Sequence, residues 1–113
     1  MKIKYVALLL LMAGPIAAAS EYDAVRTKIQ AAMQADVRTE QDTARDANRM
    51  PIETLEFFGL RDDMRVIELM PGGGWYTKLL APVLADNGEF YISIGADRLA
   101  KGLASTPGFA KME

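Results

Sequence analysis

A run of three glycines between two apolar segments constrains the fold of this chain more than any other sequence feature. The segment RVIELM, residues 65–70, is a short apolar run with β-branched Val66 and Ile67, which is typical of a buried strand. Pro71 and glycines 72–74 follow it, and WYTKLLAPVLA then has the apolar periodicity of a helix. The sequence therefore places the glycines at a junction between a strand and a helix.

The residues after the glycines complete a βαβ pattern. The apolar positions predicted to form the inward face of the helix are Leu79, Leu80, Val83 and Leu84. Pro82 is expected to kink or shorten the last turns, because it removes a backbone hydrogen bond. A tight turn at DNG and a second strand at EFYISIG come next. Because a helix crosses between the two strands, we predict that they are parallel.

Two helices are predicted before the junction. The first covers residues 21–35, and its apolar stripe consists of Tyr22, Val25, Ile29 and Met33. The second begins at Pro51, which suits the first turn of a helix, and closes at Gly59, which suits a C-terminal cap. Its buried face is predicted to consist of Ile52, Leu55 and Phe58.

The segment between these helices, residues 36–49, has almost no apolar residues and carries charges of both signs. This composition indicates either a solvated linker or a polar helix. A helix would put Arg45 and Arg49 on one face, since they are four residues apart. The cluster of Arg45, Asp46 and Arg49 is interpreted as a salt-bridged surface in preference to a binding site.

The N-terminus has the three-part pattern of a secretory signal peptide. Basic MKIK precedes the apolar run YVALLLLMAGPIAAA, in which Ala17 and Ala19 fit a cleavage site before Ser20. The alternative, a membrane anchor, is disfavoured because about fifteen apolar residues fall short of the ~20 that a spanning helix needs. We therefore predict a signal peptide at 1–19, a helical segment at 20–50, and export, in a bacterial cell to the periplasm.

Composition excludes several kinds of chemistry. The 113-residue chain has no cysteine and no histidine, which removes disulfides, thiolate nucleophiles and the commonest metal ligands, so no metal site is predicted. A formal net charge of -2 gives no general attraction to nucleic acid or anionic lipid. Acid–base chemistry would fall to Asp, Glu, Lys or Tyr.

The glycine loop has two interpretations on the residues alone. Glycines at such a junction let a ligand approach backbone N–H groups, but they also permit an ordinary tight turn. The dinucleotide fingerprint G-x-G-x-x-G is absent, because Thr77 stands where its third glycine would be, and no G-K-[ST] follows to make a P-loop. The pattern does not decide between a ligand loop and a turn.

The string RVIELMPGGGWYTKLLAPVLADNGEFY resembles motif I and the second strand of the class I S-adenosylmethionine-dependent methyltransferases. It is most similar to a branch of predicted methyltransferases that carry signal peptides, and RDANRMPIETLEFFGLRDDMRV resembles the segment that leads into the motif there. The resemblance covers residues 45–97. It implies an α/β fold in which residues 51–113 form part of a Rossmann-like domain: helices, then one βαβ unit, with an incomplete sheet.

The resemblance also implies a cofactor and its ligands. In the family, S-adenosyl-L-methionine has its methionine part held by an acid at the end of the first strand and by the glycines, here Glu68 and Gly72, Gly73 and Gly74. The ribose acid after the second strand corresponds to Asp97. Trp75 and Tyr76 are interpreted as packing residues in preference to a platform for the adenine.

The sequence departs from the family pattern in three places. Met70 replaces the first motif glycine, and Asp97 comes two or three residues later than the usual ribose acid. The later strands, which carry substrate and catalytic groups in the family, are not in this chain. Two functions stay open: a cofactor-binding methyltransferase-like protein with unknown catalytic residue and substrate, and a non-enzymatic remnant or small periplasmic module. The second needs self-association or a partner chain to complete its sheet.

Overall fold

A computed structural model describes residues 16–104 and 109 of the chain, with side chains from residue 22 onward. The fold is mixed α/β, with six helices and two strands among these residues. In chain order they are α1 (Ile16–Met33), α2 (Glu40–Thr43), α3 (Asp46–Arg49), α4 (Pro51–Phe57), β1 (Arg65–Glu68), α5 (Thr77–Leu84), β2 (Glu89–Ile92) and α6 (Ala96–Leu103).

The strands β1 and β2 form a two-stranded parallel sheet, and α5 crosses between them. The register pairs Val66 with Phe90 and Glu68 with Ile92. The predicted βαβ unit is therefore confirmed. Both strands are shorter than predicted, since β1 ends at Glu68 and β2 ends at Ile92.

The core lies on one face of this sheet. Leu79, Val83 and Leu84 of α5 are at most 1% exposed, and Val25 and Ile29 of α1 pack in the same buried layer. The predicted inward faces of α1 and α5 are thus confirmed. Because α1 packs on α5, the predicted helical segment, residues 20–50, is attached to the βαβ unit. Burial of a large aliphatic side chain contributes about 1.5–3 kcal/mol, so this contact is a main source of stability.

The opposite face of the sheet is open in the part of the chain that the structure describes. Ile67 of β1 is 60% exposed, although strands of parallel sheets are usually covered on both faces. The apolar side chains that follow the strands are also exposed, namely Leu69, Met70 and Ile94. The sheet is therefore packed on one side and uncovered on the other.

The buried face of α4 differs from the prediction. Phe58 is 73% exposed, whereas Leu60 is only 6% exposed and joins the core with Leu55. The helix ends at Phe57, and Gly59 follows in a left-handed conformation with φ of +69°. This cap turns the chain back, so that Leu60 rather than Phe58 reaches the core.

The polar segment, residues 36–49, is neither a free linker nor one helix. It forms the short helices α2 and α3, and Thr39 begins α2 with a capping box. The Thr39 hydroxyl accepts from the backbone N–H of Asp42, and the Asp42 carboxylate accepts from the backbone N–H of Thr39. Both interactions satisfy N–H groups that a helix start would otherwise leave unpaired.

The predicted signal peptide lies mostly outside the described residues, which begin at residue 16. The described part of α1 includes residues 16–20, so helix is present before Glu21, where the first helix was predicted to begin. None of the described helices is both long enough and apolar enough to span a membrane.

Candidate functional site

A cleft of about 430 Å³ lies at the carboxyl end of β1, where the glycine loop meets the polar segment. One side carries Glu68 and the loop, and the other carries side chains from and around α3. The lining residues are Arg45, Arg49, Glu68, Met70, Pro71, Gly72, Gly73, Trp75 and Tyr76. Parallel sheets commonly bind ligands at this edge, so the cleft is the candidate functional site.

Glu68 is the last residue of β1, and its side chain is partly buried. The Thr77 hydroxyl donates a hydrogen bond of 2.5 Å to its Oε2 atom, and Thr77 itself is fully buried. Burial raises the pKa of Glu68 above its ordinary value, and the Thr77 hydrogen bond opposes the rise without cancelling it. The carboxyl group is therefore held in a fixed orientation at the cleft at a cost to its charged form.

The three glycines of the loop do not share one role. Gly72 and Gly73 line the cleft, and they also line a second cleft of about 380 Å³ beside α6. Gly72 has a left-handed φ of +55°, whereas Gly73 has no such conformation and a Cβ there would meet no heavy atom within 4 Å. Among the three loop glycines, Gly73 is thus the position at which a side chain would conflict with a bound ligand but not with the backbone conformation or with neighbouring atoms.

Gly74 is the last glycine of the loop and lines neither cleft. It is buried, its φ is +81°, and a Cβ would come 2.8 Å from Cδ1 of Leu99. The absence of a side chain at Gly74 is therefore explained by backbone conformation and by packing of α6. Its predicted contact with a cofactor stays a prediction.

Trp75 is a packing residue, as predicted, and is only 3% exposed. Its indole N–H donates to the backbone carbonyl of Asp42 at 3.0 Å. The guanidinium carbon of Arg49 lies 4.7 Å from the Trp75 ring centre and 5.9 Å from that of Tyr76. These contacts attach the polar segment to the start of α5.

A buried ion pair makes the same connection and was missed by the sequence analysis. Nζ of Lys78 lies 2.6 Å from Oδ2 of Asp42, and each side chain is 10% exposed. Burial alone would raise the pKa of Asp42, but hydrogen bonds from Lys78 and Thr39 outweigh it and lower the pKa. The capping-box spacing of Thr39-Glu40-Gln41-Asp42 was the available signal that Asp42 is structural.

The three residues of the predicted cluster, Arg45, Asp46 and Arg49, have different roles, because Asp46 forms an ion pair within the fold and the two arginines line the cleft. Asp46 accepts two hydrogen bonds from Arg38, at 2.7 and 2.8 Å, and the Arg38 side chain is almost fully buried. Arg45 and Arg49 instead face the cleft together, as their spacing allows. The salt-bridge interpretation is thus correct for Asp46, with an unexpected partner.

Asp97 is not among the residues that line the candidate site. It is exposed in the first turn of α6, which begins after Gly95 in a left-handed conformation. It lines neither of the two clefts beside the glycine loop. The structure therefore brings Glu68, Gly72 and Gly73 together and leaves Asp97 outside that group.

The chain matches no protein-family model, no curated protein and no solved structure in comparisons with all three.

We expect the buried Asp42–Lys78 pair to dominate the stability of this region. Lys78→Met should lower the free energy of unfolding by about 3 kcal/mol, because it leaves a buried carboxylate without its cation. The matched control is Lys28→Met, since Lys28 pairs with Asp62 at 2.7 Å but both side chains are about a third exposed. The control should change stability by less than about 1 kcal/mol. Urea denaturation checks both, and equal losses would contradict the assignment.

We expect Glu68→Gln to stabilise the protein at neutral pH. The pKa of Glu68 is raised in the folded state, so its ionisation disfavours folding as pH rises through the folded value. Below about 4.3, the ordinary pKa of glutamate, the carboxyl is protonated in both states and the gain should vanish.

Urea denaturation across a pH series measures this effect, with Asp36→Asn at an exposed position as the control. A gain that persists unchanged at low pH would show that charge burial is not its cause.

Proposed function

We propose that the chain is a methyltransferase-like protein whose cleft binds S-adenosyl-L-methionine. The observation that carries the proposal is the meeting of Glu68, Gly72 and Gly73 at one cleft, at the carboxyl end of β1. These are three of the residues that the family resemblance implies for the methionine part of the cofactor. The fold supports the proposal at a coarser level, because a strand, a glycine loop and a helix occur in the required order.

The chemistry of the cleft suits the methionine part of this cofactor. Glu68 offers a carboxylate to the ligand ammonium group, and Thr77 fixes the orientation of that carboxylate. A bound ammonium would offset the cost of ionising Glu68 in its partly buried position. Gly72 and Gly73 leave the backbone accessible to the ligand. Asp97 is proposed for the ribose hydroxyls on the resemblance alone.

Export is part of the proposal, on the strength of the basic, apolar and small-residue order of residues 1–19. Intact-mass analysis of a periplasmic extract should give a protein that begins at Ser20. A mass that begins at Met1, in the membrane fraction, would favour an anchor.

The open face of the sheet favours a second candidate function, a non-enzymatic module completed by a partner. Ile67, Leu69 and Ile94 are each at least 60% exposed, and each strand has one edge unpaired within residues 16–104 and 109. In this candidate, another chain supplies further strands, and the glycine loop is only a turn. Light scattering on the sample used for ligand titration separates the two, because this candidate requires assembly and no cofactor.

We expect Gly73→Val to block cofactor binding without unfolding the protein. A Cβ at this position would meet no heavy atom of the described residues within 4 Å, so we expect the added side chain to oppose a ligand rather than the fold. Calorimetric titration with S-adenosylmethionine should show an affinity at least about tenfold lower than for the wild type. Stability should stay within about 0.5 kcal/mol, as for other surface substitutions.

The matched comparison is Gly74→Ala, in which the left-handed φ should cost about 1–2 kcal/mol of stability. If the folded wild type binds neither S-adenosylmethionine nor S-adenosylhomocysteine at millimolar concentration, the proposed cofactor is wrong. The loop would then be a tight connection between a strand and a helix.

A further inference from the structure

Two arginines face the candidate cleft without a carboxylate partner. Arg45 and Arg49, at the two ends of α3, form the α3 wall of the cleft, and neither forms an ion pair with any residue that the structure describes. The nearest acid along the chain, Asp46, is held by two hydrogen bonds from Arg38. The positive charge of this wall is therefore available to a ligand.

The wall is held in place at Arg49, through successive contacts that lead from the cleft to α5. Arg49 lies over Trp75, at 4.7 Å, and the Trp75 indole is fixed by its hydrogen bond to the Asp42 carbonyl. Asp42 is in turn paired with Lys78 of α5. Arg49 is thus positioned before any ligand binds, which reduces the entropy that its side chain loses on binding.

The cleft is consequently lined by groups of opposite charge. Glu68 provides a carboxylate at the end of β1, and Arg45 and Arg49 provide two guanidinium groups at the ends of α3. An α-amino acid group carries an ammonium and a carboxylate on one carbon, so it matches this arrangement. Guanidinium groups are well suited to the carboxylate because they can donate two parallel hydrogen bonds.

We propose that Arg45 and Arg49 bind the carboxylate of an amino-acid group whose ammonium is taken by Glu68. This inference rests on the proposed function, and it narrows the ligands to those with a free α-amino acid end. A nucleoside without that end would lose the arginine contacts. The sequence resemblance assigns no role to either arginine.

The test compares S-adenosylmethionine with decarboxylated S-adenosylmethionine, which lacks only the carboxylate, by calorimetric titration of the purified protein. The wild type should bind the decarboxylated compound about 10- to 100-fold more weakly, the usual effect of losing a charge-assisted hydrogen bond. Arg45→Met should weaken binding of S-adenosylmethionine by a similar factor and leave binding of the decarboxylated compound unchanged. Arg45→Lys should restore part of the loss, because the cation is kept.

Arg45→Met is the preferred variant because the Arg45 side chain makes no hydrogen bond or ring contact with the described residues, unlike Arg49. The control is Arg98→Met, since Arg98 lines the second cleft only. It should change neither affinity. Thermal unfolding of each variant should match the wild type.

The outcomes separate this inference from the proposed function. Equal affinity of the wild type for the two nucleosides would overturn the arginine assignment and leave cofactor binding intact. Titration with L-methionine tests the amino-acid end alone: if it binds, and Arg45→Met abolishes this, the assignment stands even where neither nucleoside binds. Binding of none of the three compounds would overturn both proposals.

Discussion

The arrangement of the cleft depends on the hydrogen bonds and the ion pair that the Asp42 carboxylate makes. This carboxylate accepts from Lys78 of α5 and from both the backbone N–H and hydroxyl of Thr39, while the Asp42 backbone carbonyl accepts from Trp75. A buried carboxylate is costly unless such partners satisfy it. Because the partners come from both sides, the polar segment has one position against the glycine loop. That position also places Arg45 and Arg49, at the ends of α3, at the cleft.

Local patterns predicted the elements whose residues interact over short distances. The βαβ unit was predicted from β-branched residues, the glycines and the apolar period of α5. Its two strands and its helix were correct in type and order. Phe58 was assigned to the core wrongly, because periodicity was extended into a left-handed cap where the helix no longer continues. Strand ends were overestimated, since Leu69 and Met70 are apolar but exposed.

The site was predictable only on its strand side. Glu68 and Gly73 meet at the cleft because a strand end and the following loop are adjacent in any βα junction. The opposite wall needs the Asp42–Lys78 contact, whose residues are 36 positions apart, and no local pattern encodes such a pairing. The polar composition of residues 36–49 suggested solvent exposure, which is correct for most of the segment, but Arg38 and Asp42 are buried and Asp42 attaches the segment to α5. Asp97 was assigned from the family resemblance and its place after the second strand, and that place fixes an edge of the sheet but no distance.

The different backbone conformations of the loop glycines have an evolutionary consequence. Every single-nucleotide change that replaces a glycine introduces a Cβ, and at Gly72 and Gly74 the left-handed backbone opposes that change whether or not a ligand binds. Those two glycines would therefore be expected to persist in descendants of this chain even without a ligand. Gly73 has no left-handed backbone conformation, and a Cβ there would meet no heavy atom within 4 Å. Other residues would therefore be expected to replace Gly73 in a lineage that had lost its ligand. Retention or replacement of Gly73 would thus indicate whether ligand binding has been kept, independently of whether the fold has been kept.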